Sequence, residues 1–485
     1  MKHKSTSALE AQVGAEPLKI GKRLAGFSVR KLIGTALCLW FALGAAAQTS
    51  PAIRSWLQNT TQTGTYYAKG NPTLVGNGIL VNCQSVRYSK DFVYVATHGV
   101  PAYPTGPFND GNPSQATAQN AIFRFPLNPT VQSGTKTATT MGNIGVFING
   151  VALFDYRDGV AWNTATNSWC GGPGNPTCPG VAGATQSWNR DAVVYERIGF
   201  DCAKGHPAMG NYHHHQNPSA FDLDLKVVSS ICNLYDADGL YALNPQKHSP
   251  LIGFAYDGFP IYGAYGYKNT DGSGGITRIK SGYQLRNITV RTHHADGTDV
   301  PDGPPVSATY PLGSFREDYE FVARPNQPDY LDVHNGRLCV TPEYPNGTYA
   351  YFATVDENHN SAFPYIVGPT FYGVYANRKV SSINEATTLY APAVPTRNEV
   401  FEKLDIRVFP NPSSDLVAVQ LLGLADQDLH ARLFDVNGKL VEAKTIQKGQ
   451  TIAYFGTETL YPGLYLLQIS APGTEGKTYK ISVGN

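Results

Sequence analysis

The chain carries 49 glycines and 33 prolines among its 485 residues, spaced so closely that few apolar runs last long enough for a helix. Proline removes a backbone donor and glycine weakens a helix interior, so such a chain folds from short extended runs joined by turns. The runs are rich in β-branched and aromatic residues, with 29 tyrosines against 3 methionines. Hydrophobic residues make up 42% and charged residues 15%, a globular composition and not a disordered one. The expectation is a mainly β protein of two or three domains: a large β-rich central domain, then a small Ig-like β-sandwich.

The N-terminus stands outside that fold. Lys22, Arg23, Arg30 and Lys31 precede an apolar run from Leu32 to Leu43, and "GAAAQ" follows. A basic region, a short apolar core and a small-residue site make a secretory signal, so residues 1–47 are read as a signal peptide. A membrane span needs about 20 apolar residues, and this run falls short. Without residues 1–47, the chain loses seven basic and two acidic residues and keeps 31 against 35. That balance gives no basis for binding nucleic acid or an anionic membrane electrostatically.

Six cysteines then remain: Cys83, Cys170, Cys178, Cys202, Cys232 and Cys339. An even number in an exported chain suggests disulfides. Cys170 and Cys178 flank the turn-rich "GGPGNPT"; Cys202 with Cys232 and Cys83 with Cys339 are the other expected pairs.

The central domain is assigned to residues 52–378. It contains an internal echo: "IGVFINGVALFDY" from Ile144 and "IGFAYDGFPIYGAY" from Ile252 align at a shift of 108. Each reads as a hairpin around Asn149-Gly150 or Asp257-Gly258, with a looser third copy, "VGPTFYGVY", from Val367. Duplication and coincidence both remain open at this point. Residues 379–400 read as a linker, small, polar and proline-bearing. Residues 401–485 alternate strands with tight turns, and Asn437-Gly438 offers the φ > 0 pair of a type I′ turn.

Histidine is scarce, yet four of twelve fall in "GHPAMGNYHHHQNP". Side chains alternate along a strand, so His213 and His215 project together and His214 points away. His206 lies beyond a Pro- and Gly-containing stretch able to fold back. Three imidazoles so placed suit a divalent metal, zinc or copper. Acid–base chemistry, or a plain polar loop, would use the same residues. Other candidates for catalysis are His248, Asp257, Asp332 and His334, although Asp257 and the Asn335-Gly336 neighbourhood are also explained by turns. Glu196 and Glu343 are single carboxylates without an evident partner, and His359 lies in a polar loop. No GxSxG, HExxH, phosphate-loop or dinucleotide fingerprint occurs.

Two resemblances follow from longer stretches. "WNRDAVVYERIGFDCAKGHPAMGNYHHHQNP", "HSPLIGFAYDGFPIYGAYGY" and "GRLCVTPEYPNGTYAYFATV" together resemble the YHYH domain of bacterial exported proteins, across most of residues 80–375. The name motif falls on Tyr212-His213-His214-His215, with His214 in place of the second tyrosine. The resemblance implies a domain without a fixed reaction. "VFPNPSSDLVAVQL", "LFDVNGKLV" and "LYPGLYLLQIS" resemble the C-terminal sorting domain of type IX secretion. That resemblance implies passage through the periplasm and across the outer membrane, with the secretion machinery as partner. The residues thus point to a secreted or cell-surface metal-binding protein. A metal-dependent extracellular hydrolase, or a non-metal surface protein that binds carbohydrate, another extracellular polymer or a small molecule through its many aromatic residues, are the alternatives.

Overall fold

The computed structural model describes residues 50–110, 114–180, 186–218, 244–391 and 406–484, apart from 424, 426 and 472–475. The proposed signal peptide and Cys232 lie outside these residues. The fold is mainly β, and the chain divides into two compact units at Tyr390/Ala391. No helix among the described residues is long and apolar enough to cross a membrane.

The first unit is organised by an eight-stranded sheet. Its order is Gly205–Ala208, Asn211–His214, Ala152–Phe154, Asn143–Phe147, Leu251–Ala255, Pro260–Tyr262, Thr348–Phe352, Gly336–Cys339. Read outward from the middle, both halves repeat one plan: a hairpin, a parallel neighbour, and that neighbour's antiparallel partner. The central pairing has Val146 opposite Phe254, with Gly145 opposite Ala255 and Phe147 opposite Gly253. A shift of 108 residues carries this register onto itself, as it does the two hairpins with their bulges. The sheet therefore has an internal pseudo-twofold, and the sequence echo marks a repeated unit. Gly145 and Gly253 are equivalent, and a Cβ on either would press on the backbone of the opposite half, at 3.0 Å from the Phe254 oxygen and 2.7 Å from the Val146 oxygen.

The supposed third copy is different. Residues 367–375 form only isolated bridges, at Thr370 and Gly373, and add no hairpin to the sheet. With Pro369 and Gly368 interrupting it, this stretch instead packs Phe371 inward and donates the Gly373 amide to Asp257.

A five-stranded antiparallel sheet shares its core with the larger one. Its order is Lys379–Val380, Ala121–Pro126, Phe92–Thr97, Cys83–Tyr88, Thr388–Leu389. Its outermost strands come from the stretch expected to be linker. Trp56 joins the layers, stacking on Phe125 at 5.6 Å and against Phe254 at 5.3 Å.

The second unit is a seven-stranded sandwich, with three strands in one sheet and four in the other around Val417, Val419, Leu433, Phe455, Leu467 and Ile481. Its Asp435–Lys439 turn corrects the type I′ expectation. Only Gly438 has positive φ, and the Asp435 amide donates to the Lys439 carbonyl, closing a three-residue loop. The 147–151 and 255–259 turns close the same way, with only Gly150 and Gly258 left-handed.

Candidate metal centre

The histidines sit on the outermost hairpin of the eight-stranded sheet. Met209 and Gly210 form its two-residue turn, both at positive φ (48° and 85°), as a type I′ turn requires. This tight return places His206 directly opposite His213. His215 follows on the same side, and the three rings' ligand atoms lie within 4.8 Å of one another, all buried. Phe154 stacks on His213 at 3.8 Å and Phe200 meets His206 edge-on at 4.9 Å, so the rings have little freedom to turn.

A carboxylate lies beside two of the three rings. Asp191 caps a short helix, Ala192–Tyr195, by accepting from the amides of Val193 and Val194 at 2.8 and 3.3 Å. Glu196 ends that helix, and its Oε2 lies 3.3 Å from His206 Nε2 and 3.2 Å from His215 Nε2. The approach to His206 is close but poorly directed, and neither Glu196 Oε2 nor His206 Nε2 makes a hydrogen bond. Buried polar atoms left so cost about 1–3 kcal/mol each.

The protonation pattern sharpens the point. His213 Nδ1 faces the Asn211 carbonyl at 2.8 Å, and His215 Nδ1 faces the Asp155 carbonyl at 2.5 Å. A carbonyl only accepts, so Nδ1 carries the hydrogen in both rings and a neutral ring leaves Nε2 a bare lone pair. The two Nε2 atoms are 3.1 Å apart. Three imidazole rings thus face one another, with the Glu196 carboxylate beside two of them, a group that could hold a metal ion. Burial, with His206 and His215 beside it, drives the His213 pKa well below the ordinary value. Burial would lower His215 too, but the Glu196 carboxylate outweighs it and raises that pKa. Burial would likewise raise Glu196; the hydrogen-bonding reach and charge of His206 and His215 hold it far below the usual carboxylate range.

Residues 122–363, which span the whole eight-stranded sheet, match the family model described as YHYH protein. Residues 407–483 match the secretion system C-terminal sorting domain. The chain is a YHYH-domain protein with a type IX sorting domain. Such a sorting domain directs the chain to the cell surface or the extracellular space, through the type IX machinery. No curated protein matches the chain.

Within the YHYH domain the name motif divides by face. His213 and His215 enter the cluster. Tyr212 and His214 turn the other way, with Tyr212 donating to Asp201 at 2.8 Å and His214 Nε2 lying 2.9 Å from the Tyr103 hydroxyl. Burial pushes the His214 pKa down to about 3, so it is a neutral core residue.

The pseudo-twofold shows what the opposite hairpin does. Tyr349 donates to Asp332 as Tyr212 does to Asp201, and Gly336 presses on Tyr349 as Gly205 does on Tyr212. There Arg337, Ala350 and Phe352 stand where His206, His213 and His215 stand, and the Arg337 guanidinium lies over the Phe352 ring at 5.2 Å. One half of the YHYH domain therefore carries the cluster and the other does not.

The remaining candidates are not brought to the cluster. Asp257 accepts from Tyr351 at 2.6 Å and from the amides of Gly373 and Phe259, fastening a turn. Asp332 fastens another, accepting from the amides of His334 and Gly336, and His334 Nδ1 meets the Thr370 hydroxyl at 2.6 Å. His248 packs among Tyr262, Tyr267 and Phe352, with Nδ1 toward the Ser249 carbonyl. Cys170 and Cys178 form a disulfide, and Cys202 is also disulfide-bonded. The expected Cys83–Cys339 bridge is absent. Both are buried thiols, one opening a strand of the five-stranded sheet and the other ending an edge strand of the eight-stranded sheet. Glu196 is the residue that sequence reading left without a partner.

Proposed function

We propose that the YHYH domain holds one divalent ion, zinc or copper, through His206, His213, His215 and Glu196, and that the protein serves outside the cell as a metal-binding protein. The grouping of three buried imidazoles within reach of one ion, with the Glu196 carboxylate beside two of them, carries this reading. Nitrogen ligands with one carboxylate suit zinc and copper, whereas magnesium and calcium seek oxygen-only sites. Four protein donors favour retention of the ion over hydrolysis, which needs an open position for water. A bound ion would supply Lewis acidity; the chain's own part is to fix the imidazoles through the Asn211 and Asp155 carbonyls and to shield them with Phe154 and Phe200. The signal peptide of residues 1–47 brings the chain to the periplasm, and residues 401–485 take it across the outer membrane.

The test is elemental mass spectrometry on the mature chain, purified without a histidine tag, beside a His213→Ala/His215→Ala variant. About one equivalent of zinc or copper in the parent and none in the folded variant is expected. No metal in either, even after incubation with both ions, would overturn the reading.

A further inference from the structure

Away from the histidines, the first unit has a cavity of about 530 Å³ under the Cys170–Cys178 loop. The loop is drawn tightly onto its neighbouring strand, Arg157–Asn163. A Cβ on Gly171 would lie 2.4 Å from the Gly159 carbonyl, and one on Gly172 2.6 Å from a Val160 methyl. The cavity's size falls within the roughly 300–1,000 Å³ of small-molecule sites.

Two guanidinium groups border it. Arg157 is committed, its Nε to Asp155 at 2.6 Å and one Nη to the Thr139 carbonyl at 2.7 Å. Arg316 is not. Its Nε meets Glu317 at 2.6 Å, while neither Nη has a hydrogen-bond partner among the described residues. Glu317 is itself occupied by Asn189, which holds the Arg316 base in place. The outer edge of a fixed guanidinium is a two-pronged donor matched to a carboxylate.

Arg316 also borders a second, more open cavity of about 250 Å³. Tyr283 and Tyr319 border it as half-buried rings, with Tyr319 backed by the buried Phe363 at 4.1 Å and with Asp296 and Glu317 also on its wall. Aromatic faces next to a fixed cation suit a ligand that is apolar on its ring faces and anionic at one point. Asp296 at this second cavity offers an acceptor for hydroxyl groups. We infer that Arg316 is the centre of a binding site for an acidic oligosaccharide, its uronate carboxylate on the Arg316 fork and a neighbouring sugar ring against Tyr283 and Tyr319. This site is separate from the histidine cluster and needs no metal.

The experiment is calorimetric titration of the full mature chain with tetragalacturonate, with its methyl ester, and with acetate. Two variants accompany it: Arg316→Gln, and Met141→Trp, which fills the first cavity from a side chain that makes no hydrogen bond. Saturable binding of the acid at least about tenfold tighter than the ester, and weakened about tenfold by each variant, is the expected result. Melting temperatures should stay within about 2 °C of the parent. If Arg316→Gln melts early, Met141→Trp decides alone. Absence of saturable acid binding, equal binding of the ester, acetate competing as well as the oligomer, or binding that Met141→Trp leaves unchanged would each overturn the proposal.

Discussion

Glu196 shows where reading residues one at a time stops. The alternation of His213, His214 and His215 was legible, because one strand fixes it, and the structure places His213 and His215 together with His206. Glu196 reaches them only because Asp191 caps the helix before it and that helix ends at the right place, which no spacing rule states. Glu196→Gln keeps the shape and removes the charge. Its metal affinity should fall by about tenfold or more, read by competition with a chelator, and an unchanged affinity would remove Glu196 from the donor set. The tyrosine–aspartate pairs allow a second test. Tyr212→Phe and Tyr349→Phe each deprive a carboxylate, the buried Asp201 or the half-buried Asp332, of one donor. Each should cost about 1–3 kcal/mol in denaturant unfolding, and a large loss in one half with none in the other would break the equivalence.

The hairpin is the element that decides the site. Its turn was not readable as type I′, since the sequence offers Met209-Gly210 where Asn-Gly is the usual signal, and the actual Asn-Gly and Asp-Gly turns are three-residue loops. What fixes it is the pairing on either side, His206 with His213 and Ala208 with Asn211, together with Thr117 close to Gly210. Met209 is 97% exposed and left-handed, a conformation asparagine tolerates better. Met209→Asn should therefore raise stability by about 0.5 kcal/mol or more without changing metal content, as measured by thermal melting. A fall in stability would contradict the assigned turn. Cysteine pairing was less legible than strand order: the short Cys170–Cys178 loop declared itself, but Cys83 and Cys339 lie on different sheets, and their separation depends on topology.

At the scale of the whole molecule, the repeated half-sheet places carboxylates at matched points: Asp201 and Asp332 each fasten the turn before an edge strand, and Asp191 caps the short helix. Burial, the largest influence, raises Asp191 to about 7 despite its hydrogen bonds from Tyr365 and the Val193 and Val194 amides. The folded chain therefore keeps a proton that the unfolded chain releases near pH 4. This contribution to stability is complete below pH 4 and is lost as pH rises toward 7. His214, depressed to about 3 by burial, acts oppositely and destabilises the fold as pH falls below 6.5. Comparing parent with Asp191→Asn isolates the first effect: the variant should gain relative to the parent between pH 4 and 7, and parallel profiles would contradict it. The central claim is that one ion joins two strands and a helix end through three imidazoles and a carboxylate. X-ray absorption at the metal edge of the loaded, tag-free protein tests it most directly. Three imidazole nitrogens and one carboxylate oxygen at about 2.0–2.2 Å are expected for zinc. Sulfur in the shell, or water oxygens with fewer than three imidazoles, would contradict it.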